Sequence, residues 1–189
     1  MIEENSKKEE VVQKKEIRSF MLGKREKMEE DRVGQLSQII CKRVCEQEAF
    51  TDASDICLYM PIRNEVDVTR LIEPAKRQKK CIWLPKVIEG KMDFYYYDNT
   101  VSLAKGKYDI LEPQSDRMLI PNEHTLIIMP GAAFSYDGSR IGYGGGYYDC
   151  YLHAYPFCKT IAVCYDFQIL PQIPSESHDC KADIVISDI

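Results

Sequence analysis

The chain has 189 residues, 44% of them apolar and 29% charged, the balance of an ordinary globular protein with one sizeable core. No apolar run approaches the roughly 18 residues that span a membrane. The charged start MIEENSKKEEVVQKK has no apolar segment of a secretory signal, so a cytoplasmic protein without a membrane partner is expected. A net charge of −5 speaks against general nucleic-acid binding, because phosphate contacts supply most of that affinity. It leaves room for a local basic pocket.

In chain order, residues 1–12 are rich in charge and read as a flexible tail or a frayed first turn, with a single domain over 13–189. From Lys14 the apolar positions Ile17, Phe20, Met21 and Met28 follow helical spacing. A second helix is expected over 34–48, where Leu36, Ile39, Ile40 and Val44 recur at three and four. DICLYMP (55–61) reads as a strand closed by proline. Val68, Leu71, Ile72 and Ala75 then form a helical face that Asp67 can cap, and Pro74 keeps that helix short. CIWLPKV (81–87), KMDFYYYD (91–98), HTLIIMPG (124–131), TIAVCYD (160–166) and ADIVISD (182–188) are the further strands. Strands alternating with helices through short Pro/Gly turns predict an α/β fold. Its mostly parallel central sheet is flanked by helices, in a Rossmann-like layered single domain. Ligands bind beyond the carboxyl ends of such strands, so the loops after 59, 86, 129 and 165 are the informative ones.

The eight cysteines show no CxxC or CxxH spacing and read as small apolar core residues kept reduced. The three histidines read as surface or loop residues.

The densest chemistry lies in RIGYGGGYYD (140–149). Tyr148, Tyr151, Leu152 and Tyr155 follow helical spacing, so the glycines precede a helix N-terminus. There, free amides and the helix dipole favour an anion. Arg140 adds a charge with a bidentate fork. Asp149, in the first helical turn, can cap the dipole or hold magnesium through oxygen beside a phosphate. No GKS/GKT or GxGxxG pattern accompanies the run. A tight turn with close helix packing and a phosphate cradle therefore both stand. Lys14 and Arg18 share a helical face. Glu65 follows a strand end in a loop, the place for a substrate-orienting carboxylate. Asp179 and Asp183 precede the last strand.

Together these stretches resemble the 5-formyltetrahydrofolate cyclo-ligase family, also called 5,10-methenyltetrahydrofolate synthetase. MPGAAFSYDGSRIGYGGGYYDCYL (129–152) carries the resemblance most specifically. KKEIR (14–18), YMPIRNEVDVTRLI (59–72), KGKYDILEP (105–113) and LPQIPSESHDCKADIVISD (170–188) follow the family's order. The resemblance implies an ATP- and Mg²⁺-dependent ligase that turns 5-formyltetrahydrofolate into 5,10-methenyltetrahydrofolate through a phosphorylated formyl oxygen, working as a monomer on small molecules. By resemblance, Lys14, Arg18, Arg140, Ile141, Gly142, Tyr143, Gly144, Gly145, Gly146, Tyr147 and Tyr148 bind ATP, with Lys14 and Arg140 catalytic. Met60, Glu65 and Tyr147 line the folate site, and Asp149 and Asp179 hold the metal. Asp109 stands where the family usually has glycine, Ser135 where aspartate is frequent, and Cys150 where arginine is frequent. The alternatives are a relative that binds nucleotide or folate without the reaction, and a sugar-phosphate enzyme that uses no ATP.

Overall fold

The computed structural model describes residues 2–189, with side chains from residue 10 onward. Helix α1 (Ile2–Glu26) leads to α2 (Glu30–Cys45) and the single turn α3 (Glu48–Asp52). Residue 1 of the segment read as a tail lies outside the described residues, and 2–12 form the first turns of α1. Strand β1 (Asp55–Cys57) is followed by a 3₁₀ turn, Val68–Leu71, that runs into α4 (Ile72–Arg77). Asp67 starts this turn as expected: its Oδ1 accepts from the Thr69 amide at 3.2 Å. Then come β2 (Cys81–Ile88), β3 (Lys91–Tyr97), β4 (Leu103–Lys105), β5 (Leu111–Pro113), β6 (Thr125–Met129), β7 (Ala133–Phe134) and β8 (Arg140–Ile141). Helix α5 (Tyr147–Ala154), β9 (Lys159–Val163) and β10 (Ile184–Ile186) close the chain.

Six strands form one sheet in the order β10-β9-β6-β1-β2-β3. Every pair is parallel except β2 with β3, a hairpin edge. The expected mostly parallel sheet is therefore present. Most of its strands are shorter than the apolar runs that predicted them, as 58–61 and 130–131 leave the sheet as loops, whereas β2 extends one residue beyond the expected 81–87. β4 pairs with β5, and β7 with β8, as separate antiparallel ribbons that the sequence reading does not contain.

Strand alternation sorts the core into two layers. Ile56, Ile82, Leu84, Leu126, Ile128 and Ile161 face α2 and α4. Cys57, Trp83, Ile127, Met129 and Ala162 face the other way, toward Phe94, Tyr151 and Leu152. Each fully buried aliphatic side chain stabilises the fold by about 1.5–3 kcal/mol. Cys41, Cys57, Cys158 and Cys164 are buried and free, as the core reading holds, and burial raises their thiols (Cys158 to about 11). Cys150 departs from that reading, being exposed. All three histidines are exposed.

The chain leaves β1 toward β2 on one side and later places β6 on the other. The loops after β1 and β6 therefore flank the point where strand order reverses, the usual ligand crevice of an open α/β sheet. Among the described residues, no helix is long and apolar enough to cross a membrane.

Candidate active site

Three segments converge on this crevice. The first is the 58–67 loop. Arg63 and Asn64 take left-handed φ of 48° and 57°, and the Asn64 amide donates to the Arg25 and Met28 carbonyls at 3.2 and 3.0 Å. Asparagine visits this region more readily than most residues, and here its side-chain amide is held by carbonyls around the end of α1. The turn drives Glu65 inward, leaving it 5% exposed. Its Oε2 accepts from the Ile62 amide at 2.9 Å and its Oε1 from the Tyr143 hydroxyl. Burial raises the Glu65 carboxyl above its ordinary value, against the lowering pull of Arg25, Tyr143 and the Ile62 amide. Burial, reinforced by Glu65, also raises the Tyr143 phenol. Met60 is half-buried and packs on the α2-side core.

The second segment is the glycine run between β8 and α5. Gly144 and Gly146 have φ of 93° and 67°, where a side chain is strained. At Gly142 a Cβ would lie 2.7 Å from Arg140 Nη1, so that residue must stay small for Arg140 to pass. Glycines in this loop thus answer to backbone twist and to the close packing of Arg140, in line with the turn reading. The Ile141 side chain points away from the loop into a small core with Met21 and Ala133. Tyr148 is half-buried against the α5-side core, and burial raises its phenol. The Tyr147 hydroxyl accepts from Lys107 Nζ at 2.6 Å, which lowers that phenol.

The third segment is α1. Arg18 Nε donates to the Gly142 carbonyl at 2.7 Å. Lys14 Nζ reaches Asp179 Oδ2 at 2.6 Å and Glu176 Oε1 at 2.7 Å, tying α1 to the loop before β10. Burial lowers the Lys14 ammonium, but the two carboxylates outweigh it and the net shift is upward. Burial likewise pushes Asp179 up, while the Glu176 amide and Lys14 bring it below its ordinary value. The His178 ring lies 3.8 Å from Glu176 and 3.9 Å from Asp179 but is exposed.

Arg140 and Asp149 meet each other. Nη2 donates to both carboxylate oxygens, at 3.0 and 3.2 Å, and the Cys180 amide donates to Asp149 Oδ1 at 3.1 Å. Arg140 Nε is buried with no partner, an unused donor at the mouth of the glycine loop. The same Cys180 contact brings Asp149 beside the segment that carries Asp179.

Among the described residues, no three His, Cys, Asp or Glu side chains group as a metal-binding set. Asp149 and Asp179 are both engaged by cations, and the residues form no closed cage. They fit magnesium in its usual mode, in which one or two carboxylates add to water and phosphate oxygens.

Arg25, Glu176 and Lys107 join the site without having been singled out in the sequence. Arg25 was findable: Lys14, Arg18, Met21 and Arg25 recur at four, three and four, one continuous helical face. Glu176 and Lys107 carry no such signal, being brought in by loops.

Basic side chains from α1 and the glycine loop and a buried carboxylate thus meet beside the switch point of an open α/β sheet. Comparison with known proteins narrows this class of fold. The family model described as the 5-formyltetrahydrofolate cyclo-ligase family matches residues 10–188, and the chain belongs to this enzyme family. It is 31% identical to a probable 5-formyltetrahydrofolate cyclo-ligase of Schizosaccharomyces pombe, over 93% of this chain and 95% of the relative. It is 29% identical to 5-formyltetrahydrofolate cyclo-ligase of Mus musculus, over 83% and 84%. Among solved structures, the 5,10-methenyltetrahydrofolate synthetase of Aquifex aeolicus superposes with a TM-score of 0.82 at 30% identity, covering 93% of this chain and 89% of the other. The synthetase of Mycoplasma pneumoniae superposes with a TM-score of 0.76 at 26% identity, covering 93% and 99%.

Proposed function

We propose that the chain catalyses the ATP- and Mg²⁺-dependent cyclisation of 5-formyltetrahydrofolate to 5,10-methenyltetrahydrofolate, releasing ADP and phosphate. One observation carries this reading: two adjacent residues of the glycine loop face two different chemistries. The Gly142 carbonyl is held by Arg18, and Tyr143 donates to Glu65. A phosphate gathered by the basic side of the loop would therefore lie next to a crevice whose buried carboxylate accepts N–H donors of a heterocycle.

The formyl oxygen attacks the γ-phosphorus and the bond to the bridging oxygen of ADP breaks. N10 then adds to the formyl carbon, and the C–O bond breaks to release phosphate together with the N10 proton. Such a transfer needs positioning and charge neutralisation more than covalent help. Lys14, Arg18, Arg140 and the amides of the 142–148 loop bind and orient the triphosphate. Arg140, through its unused Nε and a fork that can leave Asp149, offsets charge on the transferring group. Glu65 orients the pterin with Met60 and Tyr147 at its sides. Magnesium, when bound, neutralises phosphate charge, and Asp149 and Asp179 are the residues that would hold it.

Purified protein with 5-formyltetrahydrofolate and Mg-ATP should show a rise in the methenyl-folate absorbance band that depends on ATP. No ATP-dependent rise overturns the reading.

A further inference from the structure

Arg25 is 1% exposed, the most deeply buried cation of the described residues. Its Nε donates to the Arg63 carbonyl at 2.9 Å and its Nη1 to the Gly131 carbonyl at 3.2 Å. These two carbonyls belong to the loops after β1 and β6, so one guanidinium spans the switch-point crevice from α1. Its Nη2 is buried without a hydrogen-bond partner and stands 3.9 Å from Glu65 Oε1. The Tyr143 ring lies 5.7 Å from the same guanidinium. A buried charge is kept only when something compensates it, and an orphaned buried donor adds to the cost. The group that compensates Arg25 is Glu65, and the reverse also holds.

We propose that Arg25 is a positioning residue for the folate site: its charge keeps the Glu65 carboxylate ionised inside the crevice, and its two backbone bonds hold the flanking loops at the width the pterin requires. The proposal rests on the reading of function above and adds a residue and a pH range to it. The other groups facing Glu65 cannot take this role. Arg63 is largely solvated. Tyr143, Tyr59, Tyr148 and Tyr165 are neutral phenols around the carboxylate, each with its own ionisation opposed by burial.

The Glu65 titration is followed by carboxyl ¹³C chemical shift in substrate-free protein, wild type against Arg25→Gln and Arg25→Lys. Loss of an opposite charge within about 4–6 Å should move the midpoint up by about 1 to 3 pH units in Arg25→Gln. In Arg25→Lys the midpoint should stay near wild type. An unchanged midpoint in Arg25→Gln overturns the proposal. Below the new midpoint, folate KM should rise about tenfold for each pH unit, with kcat less affected. This rise should vanish in the Glu65→Gln background; an equal rise in both backgrounds would mark Arg25 as a structural strut only. Where Arg25→Gln does not fold, the double variant should recover stability, since both buried charges are gone. A double variant no more stable than the single one overturns the proposal. Absent wild-type turnover would overturn the function instead and leave the titration result standing.

Discussion

Glu65 and Asp179 sit on two sides of one crevice and are governed by opposite effects. At Glu65 burial dominates, and the carboxyl rises despite Arg25 beside it. At Asp179 the Glu176 amide and Lys14 dominate, and the carboxyl falls despite partial burial. The inner wall is therefore suited to reading neutral N–H donors. The outer rim, with Lys14, Arg18, Arg140 and paired carboxylates, is suited to exchanging its internal ion pairs for phosphate and metal. Pairing is also what keeps the rim affordable without ligand: Arg140 and Asp149 satisfy each other until a stronger partner arrives.

The division between wall and rim is most severely disturbed at Arg140. Arg140→Ala should lower turnover by about 10³-fold or more, the scale of removing an arginine that stabilises phosphoryl transfer. Single-turnover rates with saturating ATP check it, and wild-type rates would remove Arg140 from the rim's chemistry. Glu65→Gln tests the inner wall alone. It exchanges a charged acceptor for a neutral one, a change of about 1–1.5 kcal/mol, so folate KM should rise roughly 5- to 10-fold while ATP KM changes little. Equal changes in both constants would erase the division between wall and rim.

The tie between Lys14 and Asp179 should show its sign in pH. Asp179 is held low, so its contribution is present above the unfolded value of about 3.9 and is lost as pH falls through its folded value. Lys14 is held high, so its contribution is present below the unfolded value of about 10.4 and is lost as pH rises through its folded value. Protection of the α1 amides, taken relative to their intrinsic exchange rate at each pH, should therefore be greatest between these limits and fall outside them, and Lys14→Met should flatten the profile. The smallest effect is expected at the ribbon that delivers Lys107. Asp109 has φ of 59° where the resembled family usually carries glycine. Asp109→Gly should relieve part of that strain and stabilise the protein by about 0.5–1 kcal/mol, or roughly 1–4 °C in Tm. A lowered Tm in the thermal melt would mean that the aspartate is better accommodated than its backbone angle implies.

The layers and the chemistry-bearing segments can be read from residue patterns along the chain. A short apolar run such as TLIIM, closed by proline and glycine, fits a buried strand, and the proline of LIEP at Pro74 marks a helix that indeed stays short. The glycine run, Arg140, Glu65, Lys14 and Arg18 were all visible as residue types in local patterns, and the family match over 10–188 agrees with the resemblance they carry. The two-residue and three-residue ribbons were not visible, because a periodicity of two needs more positions than they have. Which charges meet follows from the folded chain alone. Asp149 neutralises Arg140, Asp179 and Glu176 neutralise Lys14, and Arg25 stands against Glu65 although 40 positions along the chain separate them. Local pattern reports spacing along one element. Electrostatic pairing depends on distance and burial, and both exist only once the loops after β1 and β6 have closed around α1.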